Sequence, residues 1–278
     1  MKLWVNGTVD DVDRLRISPL DHGLLVGDGV FETLRVYGGV PFAWRRHHQR
    51  LVASASGIGL AVPGSDELRA AADAVLTVNG LHAARLRITV TGGESSLGSE
   101  RGTAEPTVIV AASELTPRAA AAAVVTVPWA RNDRGAIAGM KTISYAENVR
   151  ALAYAHEHGA GEAVFPNTRG DLCEATGSNV FLVFQDVLHT PPGDAGCLLG
   201  VTRALVLELA PTLGLTVDER PLPLDAVRDA DEAFLTSTTR EVQPIAAVGE
   251  SALPAVPGPV TSALAAAFTD LVARDLDP

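Results

Sequence analysis

The sequence predicts an α/β protein of two domains, on three observations. Segments with the two-residue alternation of β-strands and segments with helical periodicity follow each other along the chain. A proline and an alanine run within residues 114–122 interrupt this succession. The 278 residues are enough for one large domain or two medium ones. We expect a small N-terminal domain over 1–113, a linker over 114–122 and a large C-terminal domain over 123–278; the alternative for 114–122 is a plain loop between strands.

The first half is expected to form strands and helices in alternation. A Tyr37-Gly38-Gly39 turn joins two strand-like runs into a hairpin. Ser65 can begin a helix that ends at Gly80, since glycine is the usual residue after a helix. The expected strands are Leu3–Val9, Val30–Val36, Val40–Trp44, Arg85–Thr91 and Thr107–Ala112, and the expected helices are His47–Ser56 and Ser65–Asn79.

The second half repeats this alternation after an irregular stretch, Arg131–Gly139, that leads to Lys141. Gly214 is the expected stop of one helix, and another has apolar residues at helical spacing near the C-terminal end. The expected strands are Val124–Trp129, Ala163–Pro166, Leu172–Ala175, Asn179–Phe184 and Glu232–Thr236, and the expected helices are Ser144–His158, Val201–Leu213 and Pro259–Arg274.

Composition excludes several classes of protein. The net charge of −11 argues against binding nucleic acid across a broad face, which needs clustered lysine and arginine. No apolar run approaches the roughly 20 residues of a membrane span, and the N-terminus lacks the apolar core of a signal peptide. Cys173 and Cys197 have no metal-site spacing and are expected to be reduced thiols. We therefore expect a cytoplasmic protein that binds no nucleic acid and no membrane.

Lysine is unusually rare in this chain. Lys2 and Lys141 are the only lysines among 22 basic residues, so arginine serves wherever charge alone is needed. Arginine is never deprotonated, whereas a lysine amine can lose its proton and attack a carbonyl carbon. Lys141 is therefore a candidate nucleophile; on this count alone, the alternative of a leftover surface lysine stays open.

Four segments carry residues suited to chemistry. An arginine at the start of a helix can bind a phosphate with two hydrogen bonds. The free N–H groups at another helix start also suit an anion. The segments are Trp44–Leu51, Gly139–Asn148, Cys173–Phe181 and Leu198–Arg203.

In this order and spacing, and together with Gly27–Glu32 and Thr236–Pro244, these segments resemble the class IV aminotransferases. That family includes branched-chain aminotransferases, D-amino-acid transaminases, (R)-amine transaminases and aminodeoxychorismate lyases. The resemblance runs from about Leu3 to Val248. It implies the two-domain fold-type IV architecture, with the active site at the domain interface, pyridoxal 5'-phosphate as cofactor, no metal, and a homodimer.

The resemblance also assigns roles to single residues. Lys141 is similar to the lysine that forms the Schiff base and moves the proton, and Glu174 to the acid that keeps the pyridine nitrogen protonated. Tyr145 resembles a tyrosine that contacts the phenolic oxygen, although it follows the lysine by four residues where branched-chain enzymes have five. The implied cofactor contacts are Arg50, Lys141, Tyr145, Glu174, Ser178, Asn179, Leu198, Val201, Thr202 and Thr238.

The phosphate contacts have separate functions in this pattern. Arg50 is similar to the arginine that binds the phosphate, Val201 and Thr202 to its backbone cradle, and Thr238 to a hydroxyl contact. Leu198 is similar to the residue packed beneath the cofactor ring.

The reaction is less closely defined than the cofactor. The run Ser237–Pro244 resembles D-amino-acid transaminases, which transfer the amino group of a D-amino acid to 2-oxoglutarate or pyruvate; (R)-amines are further candidate donors. The run Phe31–Val36 resembles aminodeoxychorismate lyases, which form 4-aminobenzoate and pyruvate. A branched-chain L-amino-acid transaminase is the third reading.

Two features depart from the D-amino-acid enzymes. Phe31 stands where they have a tyrosine, and their Arg-x-His carboxylate trap is missing near residues 95–102. A buried substrate carboxylate needs a charged partner, and Arg35 is the first choice. The candidate substrate contacts are Phe31, Arg35, Arg101, Thr239 and Arg240.

Overall fold

A computed structural model describes all 278 residues and divides them into two compact units. The first unit comprises Met1–Thr116, Met140–Tyr145 and Asp275–Pro278. The second comprises Pro117–Gly139 and Ala146–Arg274. The first change of unit, after Thr116, falls inside the segment that we expected to be a linker.

The placement of Lys141 differs from our expectation that the C-terminal domain carries it. Residues Met140–Tyr145 cluster with the first unit because they extend its sheet. The Phe31 N–H donates to the Lys141 carbonyl at 3.0 Å, and the Ile143 N–H donates to the Gly29 carbonyl at 2.9 Å. Sequence distance from the first domain therefore does not decide where this segment packs.

The first unit is an antiparallel sheet of six strands in the order β2-β1-β6-β5-β3-β4. Three helices accompany it. The strands are β1 Lys2–Val5, β2 Thr8–Asp11, β3 Gly29–Tyr37, β4 Val40–Pro41, β5 Ala84–Thr91 and β6 Thr107–Glu114, and the helices are α1 His22–Val26, α2 Trp44–Gly57 and α3 Ser65–Asn79.

Only one face of this sheet packs against helices α2 and α3. Alternating residues of β3, including Val30 and Leu34, join a hydrophobic core with residues of α2 and α3. The Trp44 indole N–H donates to Ser65 Oγ at 2.9 Å, which ties the starts of α2 and α3 together. The intervening β3 residues, beginning with Phe31, lie on the opposite face of the sheet.

The second unit is a mixed sheet of nine strands in the order β12-β11-β10-β13-β14-β7-β8-β9, with β15 paired to β14. The pairs β11–β12, β14–β7 and β7–β8 are parallel. The strands are β7 Ala122–Thr126, β8 Glu162–Pro166, β9 Leu172–Ala175, β10 Asn179–Phe184, β11 Val187–Thr190, β12 Thr216–Glu219, β13 Glu232–Ser237, β14 Glu241–Val248 and β15 Ser251–Ala252.

Four helices belong to the second unit: α4 Ala146–Glu157, α5 Val201–Leu209, α6 Ala226–Asp229 and α7 Pro259–Arg274. Helix α7 buries an apolar stripe that includes Leu264 and Phe268. Its first turn is capped by the buried Glu232, whose carboxylate accepts the N–H groups of Val260 and Thr261 at 3.0 and 2.8 Å. None of the helices is both long and apolar enough to cross a membrane.

Most expected elements are confirmed, some at their predicted limits, such as α3 and α7. The predicted strand Leu3–Val9, which carries an Asn6-Gly7 turn signal, is divided at that turn into the hairpin of β1 and β2, where Asn6 and Gly7 both have positive φ. The predicted strand Val40–Trp44 is a two-residue strand, since Trp44 already begins α2.

Candidate active site

Rigid elements of the first unit hold the backbone of Lys141 on two sides. Strand β3 accepts and donates the hydrogen bonds described above. From the other side, Ser54 Oγ of α2 accepts the Lys141 N–H at 3.0 Å. A side chain whose backbone is held by a strand and a helix is more precisely placed than one on a free loop.

Two aromatic rings border the Lys141 amine. Its Nζ lies 4.2 Å from the centroid of the Phe31 ring and 5.9 Å from that of Tyr145. The two rings meet edge to face, with centroids 5.1 Å apart and planes at 77°. Phe31 and Tyr145, both selected from the sequence, are therefore neighbours of Lys141 in the structure.

Arg50 is anchored beside this cluster by a buried ion pair. Its Nε and Nη2 donate to the two oxygens of Glu32, at 2.7 and 2.8 Å, and His47 Nδ1 lies 2.7 Å from the same carboxylate. Burial raises the pKa of Glu32, but Arg50 and His47 together lower it by more, so the carboxyl group stays ionised. The pair fixes the guanidinium in one orientation.

Arg87 of β5 is a candidate site residue that the sequence did not single out. Its guanidinium carbon lies 3.8 Å from the centroid of the Phe31 ring, the same ring that the Lys141 amine contacts. Burial acts to lower the pKa of both Arg50 and Arg87, and Tyr145 acts on both in the opposite direction, which puts the phenol within electrostatic range of each.

A signal for Arg87 was present in the alternation of Arg85–Thr91, which places Arg85, Arg87 and Thr89 on one face of a strand. The partner strand was not known from the sequence. The register of β5 against β3 puts Arg87 opposite Thr33 and Thr89 opposite Phe31, which brings Arg87 to the Lys141 cluster.

Arg35, our first choice for the substrate carboxylate, lies farther along the same face. It is four residues beyond Phe31, about 13 Å along an extended strand. Its guanidinium carbon lies 4.9 Å from the ring of Tyr37, which is farther still from Phe31. Arg35 is therefore directed away from the Lys141 amine.

Arg101 and Arg240 are both held by acidic partners. Arg101 binds Asp28 through Nε at 2.7 Å and Nη2 at 2.5 Å, and also donates to backbone carbonyls at the end of α2. Arg240 Nη2 donates to the buried Glu162 at 3.0 Å. Both guanidinium groups therefore stabilise the local structure, which disfavours a role for either in binding the substrate carboxylate.

Glu174 lies on β9 of the second unit, where one carboxylate oxygen accepts a hydrogen bond and the other lies at ion-pair distance from an arginine. Its Oε2 accepts the Leu198 N–H at 2.9 Å, and its Oε1 lies 3.4 Å from Arg131 Nε. Asn179 Nδ2 donates to the Leu198 carbonyl at 2.7 Å, so the backbone that orients Glu174 is itself fixed.

The start of α5 is suited to an anion. The N-cap residue Gly200 makes no side-chain hydrogen bond, so the first N–H groups of the helix, at Val201 and Thr202, are not satisfied by a cap. A Cβ at Gly200 would clash with Asn179 Oδ1, which explains the glycine. The Ser178 hydroxyl is buried and has no hydrogen-bond partner.

Thr238 and Thr239 lie in the turn between β13 and β14. Thr238 is half-buried, and Thr239 Oγ1 accepts a hydrogen bond from Arg118 at 2.8 Å. The turn follows Thr236, which is paired with Asn179 across the β10–β13 ladder.

Each unit, taken by itself, carries groups whose chemistry fits a part of pyridoxal 5'-phosphate. The first unit supplies an amine among aromatic rings and a fixed guanidinium. The second supplies an oriented carboxylate, a helix start with unsatisfied N–H groups and the unpartnered Ser178 hydroxyl. No group of three histidine, cysteine or acidic side chains is arranged to hold a metal ion.

The family model and the related proteins of known name agree on one family. The model of the amino-transferase class IV family matches residues 29–248. A putative branched-chain-amino-acid aminotransferase of Methanocaldococcus jannaschii is 36% identical over 250 residues, covering 88% of this chain and 87% of that protein. A D-alanine aminotransferase of Listeria innocua is 31% identical over 291 residues, covering 99% of this chain and 97% of that protein.

Solved structures share the fold. A branched-chain amino acid aminotransferase of Escherichia coli superposes with a TM-score of 0.92 at 29% identity, covering 97% of this chain and 94% of that one. A putative 4-amino-4-deoxychorismate lyase of Legionella pneumophila superposes with a TM-score of 0.88 at 25% identity, covering 94% and 97%.

Proposed function

We propose that this chain, which belongs to the class IV aminotransferases, transfers amino groups from D-amino acids to 2-oxo acids. The observation that carries the proposal is the Phe31 ring shared by the Lys141 amine and the Arg87 guanidinium. A nucleophilic amine and a guanidinium that contact the same aromatic ring suit an amino acid substrate, which has an amino group and a carboxylate. Pyridoxal 5'-phosphate, the cofactor of the family, supplies an electron sink when bound.

The proposed cofactor-binding residues have separate roles. Lys141 would hold the cofactor through its side-chain amine, and the same amine would carry the proton to and from the substrate α-carbon. Glu174 would keep the pyridine nitrogen protonated. The family resemblance assigns phosphate contacts to Arg50, to the first N–H groups of α5 and to the Thr238 hydroxyl.

Arg87 binds the substrate carboxylate. A guanidinium matches a carboxylate with two parallel hydrogen bonds, and none of the ion pairs of the structure occupies Arg87. Its one hydrogen bond to a side chain goes to Thr89 Oγ1, at 3.0 Å, so the charge of the guanidinium is not neutralised by an acid.

D-amino acids are the proposed donors for two reasons. The Ser237–Pro244 run resembles D-amino-acid transaminases, and the D-alanine aminotransferase of Listeria innocua aligns over nearly the whole of both chains. 2-Oxoglutarate or pyruvate is the proposed acceptor, and (R)-amines are further candidate donors. A homodimer is the proposed assembly, which light scattering tests.

Two other activities have specific support. The 36% identity to the Methanocaldococcus jannaschii protein favours a branched-chain L-amino-acid transaminase. The Phe31–Val36 run and the likeness to the Legionella pneumophila structure favour aminodeoxychorismate lyase. The three activities differ in their half-reactions, so one experiment separates them.

The yellow holoenzyme should be bleached by D-alanine and regenerated by 2-oxoglutarate. L-Leucine in place of D-alanine, at the same concentration, tests the branched-chain reading. Bleaching by L-leucine alone would replace the proposal with that reading. A colour that no amino acid changes, with pyruvate released from aminodeoxychorismate, would replace it with the lyase.

The role of Lys141 has its own test. Borohydride reduction of the holoenzyme should fix the cofactor to one peptide, the one containing Lys141, because only the lysine carrying the cofactor is reduced onto it. Lys141→Ala should abolish turnover and leave the fold intact. A label on Lys2 would contradict the assignment.

Arg87→Met should raise KM for D-alanine by about tenfold or more, since it removes about 1.5–3 kcal/mol of charge-assisted hydrogen bonding. A primary (R)-amine without a carboxylate should be turned over as before. Arg85→Met is the matched control, because Arg85 lies on the same face of β5, two residues away and opposite Arg35. Equal losses for the amino acid and the amine would show that Arg87 supports the site and does not read the carboxylate.

A further inference from the structure

We infer that Arg131 is a positioning residue for the pyridine-nitrogen acid, Glu174, which it keeps in one orientation through their ion pair. The inference rests on the proposed function, because it takes Glu174 as the partner of the ring nitrogen. Arg131 belongs to the irregular stretch that precedes Lys141, and no motif of the sequence singled it out.

Backbone and ring contacts fix Arg131 in place. Its N–H donates to the Pro166 carbonyl at 2.7 Å, beside a β-bridge to Asn167. Its guanidinium carbon lies 4.2 Å from the centroid of the fully buried Phe165 ring. Phe165 is the cross-strand neighbour of Glu174 in the β8–β9 ladder, so the ring that supports the guanidinium also lies beside the acid.

The guanidinium connects three side chains. Arg131 Nε lies 3.4 Å from Glu174 Oε1, Nη1 donates to Asn148 Oδ1 at 2.8 Å, and Nη1 also pairs with Glu147. Asn148 in turn donates to the Thr176 carbonyl, two residues after Glu174. Arg131 thereby joins the start of α4 to the segment that carries Glu174.

The net charge of Arg131, Glu147 and Glu174 together is suited to binding a positively charged pyridine ring. One arginine shared by two carboxylates leaves one net negative charge, whereas Arg131 with Glu174 alone would be neutral. Glu147 is half-exposed and Glu174 is largely buried, so water screens the first carboxylate more than the second. The uncompensated charge therefore remains available to a protonated pyridine nitrogen beside Glu174.

Arginine suits this position better than lysine. Its planar fork meets an acid on one edge and an amide oxygen on another, while its face stacks on an aromatic ring. A lysine ammonium keeps the positive charge but cannot make the stacked and forked contacts together. Arg131→Lys should therefore recover part of what Arg131→Met loses.

The test compares two cofactors on the refolded or freshly stripped apoenzyme. Pyridoxal 5'-phosphate has the ring nitrogen, and its carbocyclic analogue has a C–H group there. We expect Arg131→Met to weaken binding of pyridoxal 5'-phosphate by about tenfold, the factor for losing one charge-assisted contact. Binding of the carbocyclic analogue should stay within about twofold, the usual scatter for independent sites.

Two controls separate local from general effects. Arg228→Met removes a positive charge elsewhere in the second unit, where Arg228 pairs with the exposed Asp225, and should leave both affinities unchanged. Arg131→Lys keeps the charge and provides a second variant for the test if Arg131→Met does not fold. A merely structural role for Arg131 would weaken both cofactors equally, and that outcome would overturn the inference.

Glu174→Gln, measured in parallel, distinguishes the inference from the proposed function. It should weaken pyridoxal 5'-phosphate and spare the analogue, and adding Arg131→Met should cause little further loss. If Glu174→Gln leaves both affinities unchanged, Glu174 is not the ring partner and both ideas fail. If Glu174→Gln acts as expected and the Arg131 variants do not, the inference about Arg131 alone is wrong.

Discussion

Two clusters of the first unit have the same composition and opposite responses to pH. Each joins one acid, one histidine and one arginine, and the two acids, Asp28 and Glu32, come from the same six-residue motif. From the sequence alone, nothing distinguishes the surroundings of these two acids. The structure places Glu32 under α2 and Asp28 at the loop that follows β5.

The Glu32 cluster is almost completely removed from water. The side chain of Glu32 is 1% exposed and that of His47 is 3% exposed. Burial lowers the pKa of His47 by more than the neighbouring Glu32 raises it, so this histidine favours the neutral form. One arginine and one acid then carry the charges of the cluster.

The Asp28 cluster joins His22, Arg101 and the loop between β5 and β6. His22 Nδ1 lies 2.7 Å from Asp28, and its Nε2 lies 3.2 Å from the Gly98 carbonyl. The hydrogen bond to Asp28 raises the pKa of His22 by more than burial lowers it. The hydrogen bonds from Arg101 lower the pKa of Asp28, which stays ionised.

The comparison shows that the partners of an ionisable group do not by themselves decide the direction of its pKa shift. His22 and His47 each contact a carboxylate at 2.7 Å. The second hydrogen bond of His22, to the Gly98 carbonyl, favours its charged form. Burial, which is the largest effect, and the nearby charges of Arg50 and Lys141 disfavour the charged form of His47, so the pKa values of the two histidines shift in opposite directions.

Glu32→Gln should have the largest effect on stability. It leaves the Arg50 charge without its buried partner, which costs roughly 3–5 kcal/mol. Urea denaturation of the apoenzyme measures the change. Glu114→Gln, at the exposed end of β6, is the control and should stay near wild type. A loss below about 1 kcal/mol, as for a surface pair, would contradict the view that the cluster is dry.

Asp28→Asn should cost less, about 1–2 kcal/mol, because the Arg101 side chain is 29% exposed and water can replace part of the contact. The loss should be local. Hydrogen exchange should accelerate in the loop of residues 92–102, which Arg101 ties down, and stay unchanged in α3. Asp73→Asn, which breaks an exposed pair with Arg69, is the control. Unchanged exchange in the loop would show that Asp28 does not secure it.

His22→Gln should have the smallest effect and a distinct pH dependence. Because the pKa of His22 is raised in the folded protein, its charged form stabilises the fold fully below the unfolded value of about 6.5. That contribution is lost as the pH rises through the folded pKa. The difference in unfolding free energy between wild type and His22→Gln should therefore shrink from pH 6 upward.

The opposite slope is expected at His47: because its pKa is lowered in the folded protein, the free energy of unfolding falls as the pH drops below the unfolded value of about 6.5 towards the folded pKa. His156→Gln, on the exposed side of α4, is the matched control for replacing a histidine. If the difference in unfolding free energy between wild type and His22→Gln grew with pH, the directions of the pKa shifts assigned to the two clusters would be reversed.

The sequence by itself determined the elements whose signals are local. Helix α3 was bounded correctly because Gly80 takes the left-handed conformation that ends a helix. Lys141 and Glu174 were selected by motif and by the rarity of lysine, which need no knowledge of the fold. Strand β14 was missed because Pro244 interrupts its pattern, and proline within a run argues against a strand.

Only the tertiary structure decided which arginine shares the Phe31 ring with the Lys141 amine. Arg101 meets its acid 73 residues away and Arg240 meets its acid 78 residues away, so neither partner was visible locally. Arg87 reaches the Phe31 ring through the register of β5 on β3. Alternation along a strand tells which residues share a face, but the neighbour across that face is set by pairing between distant segments.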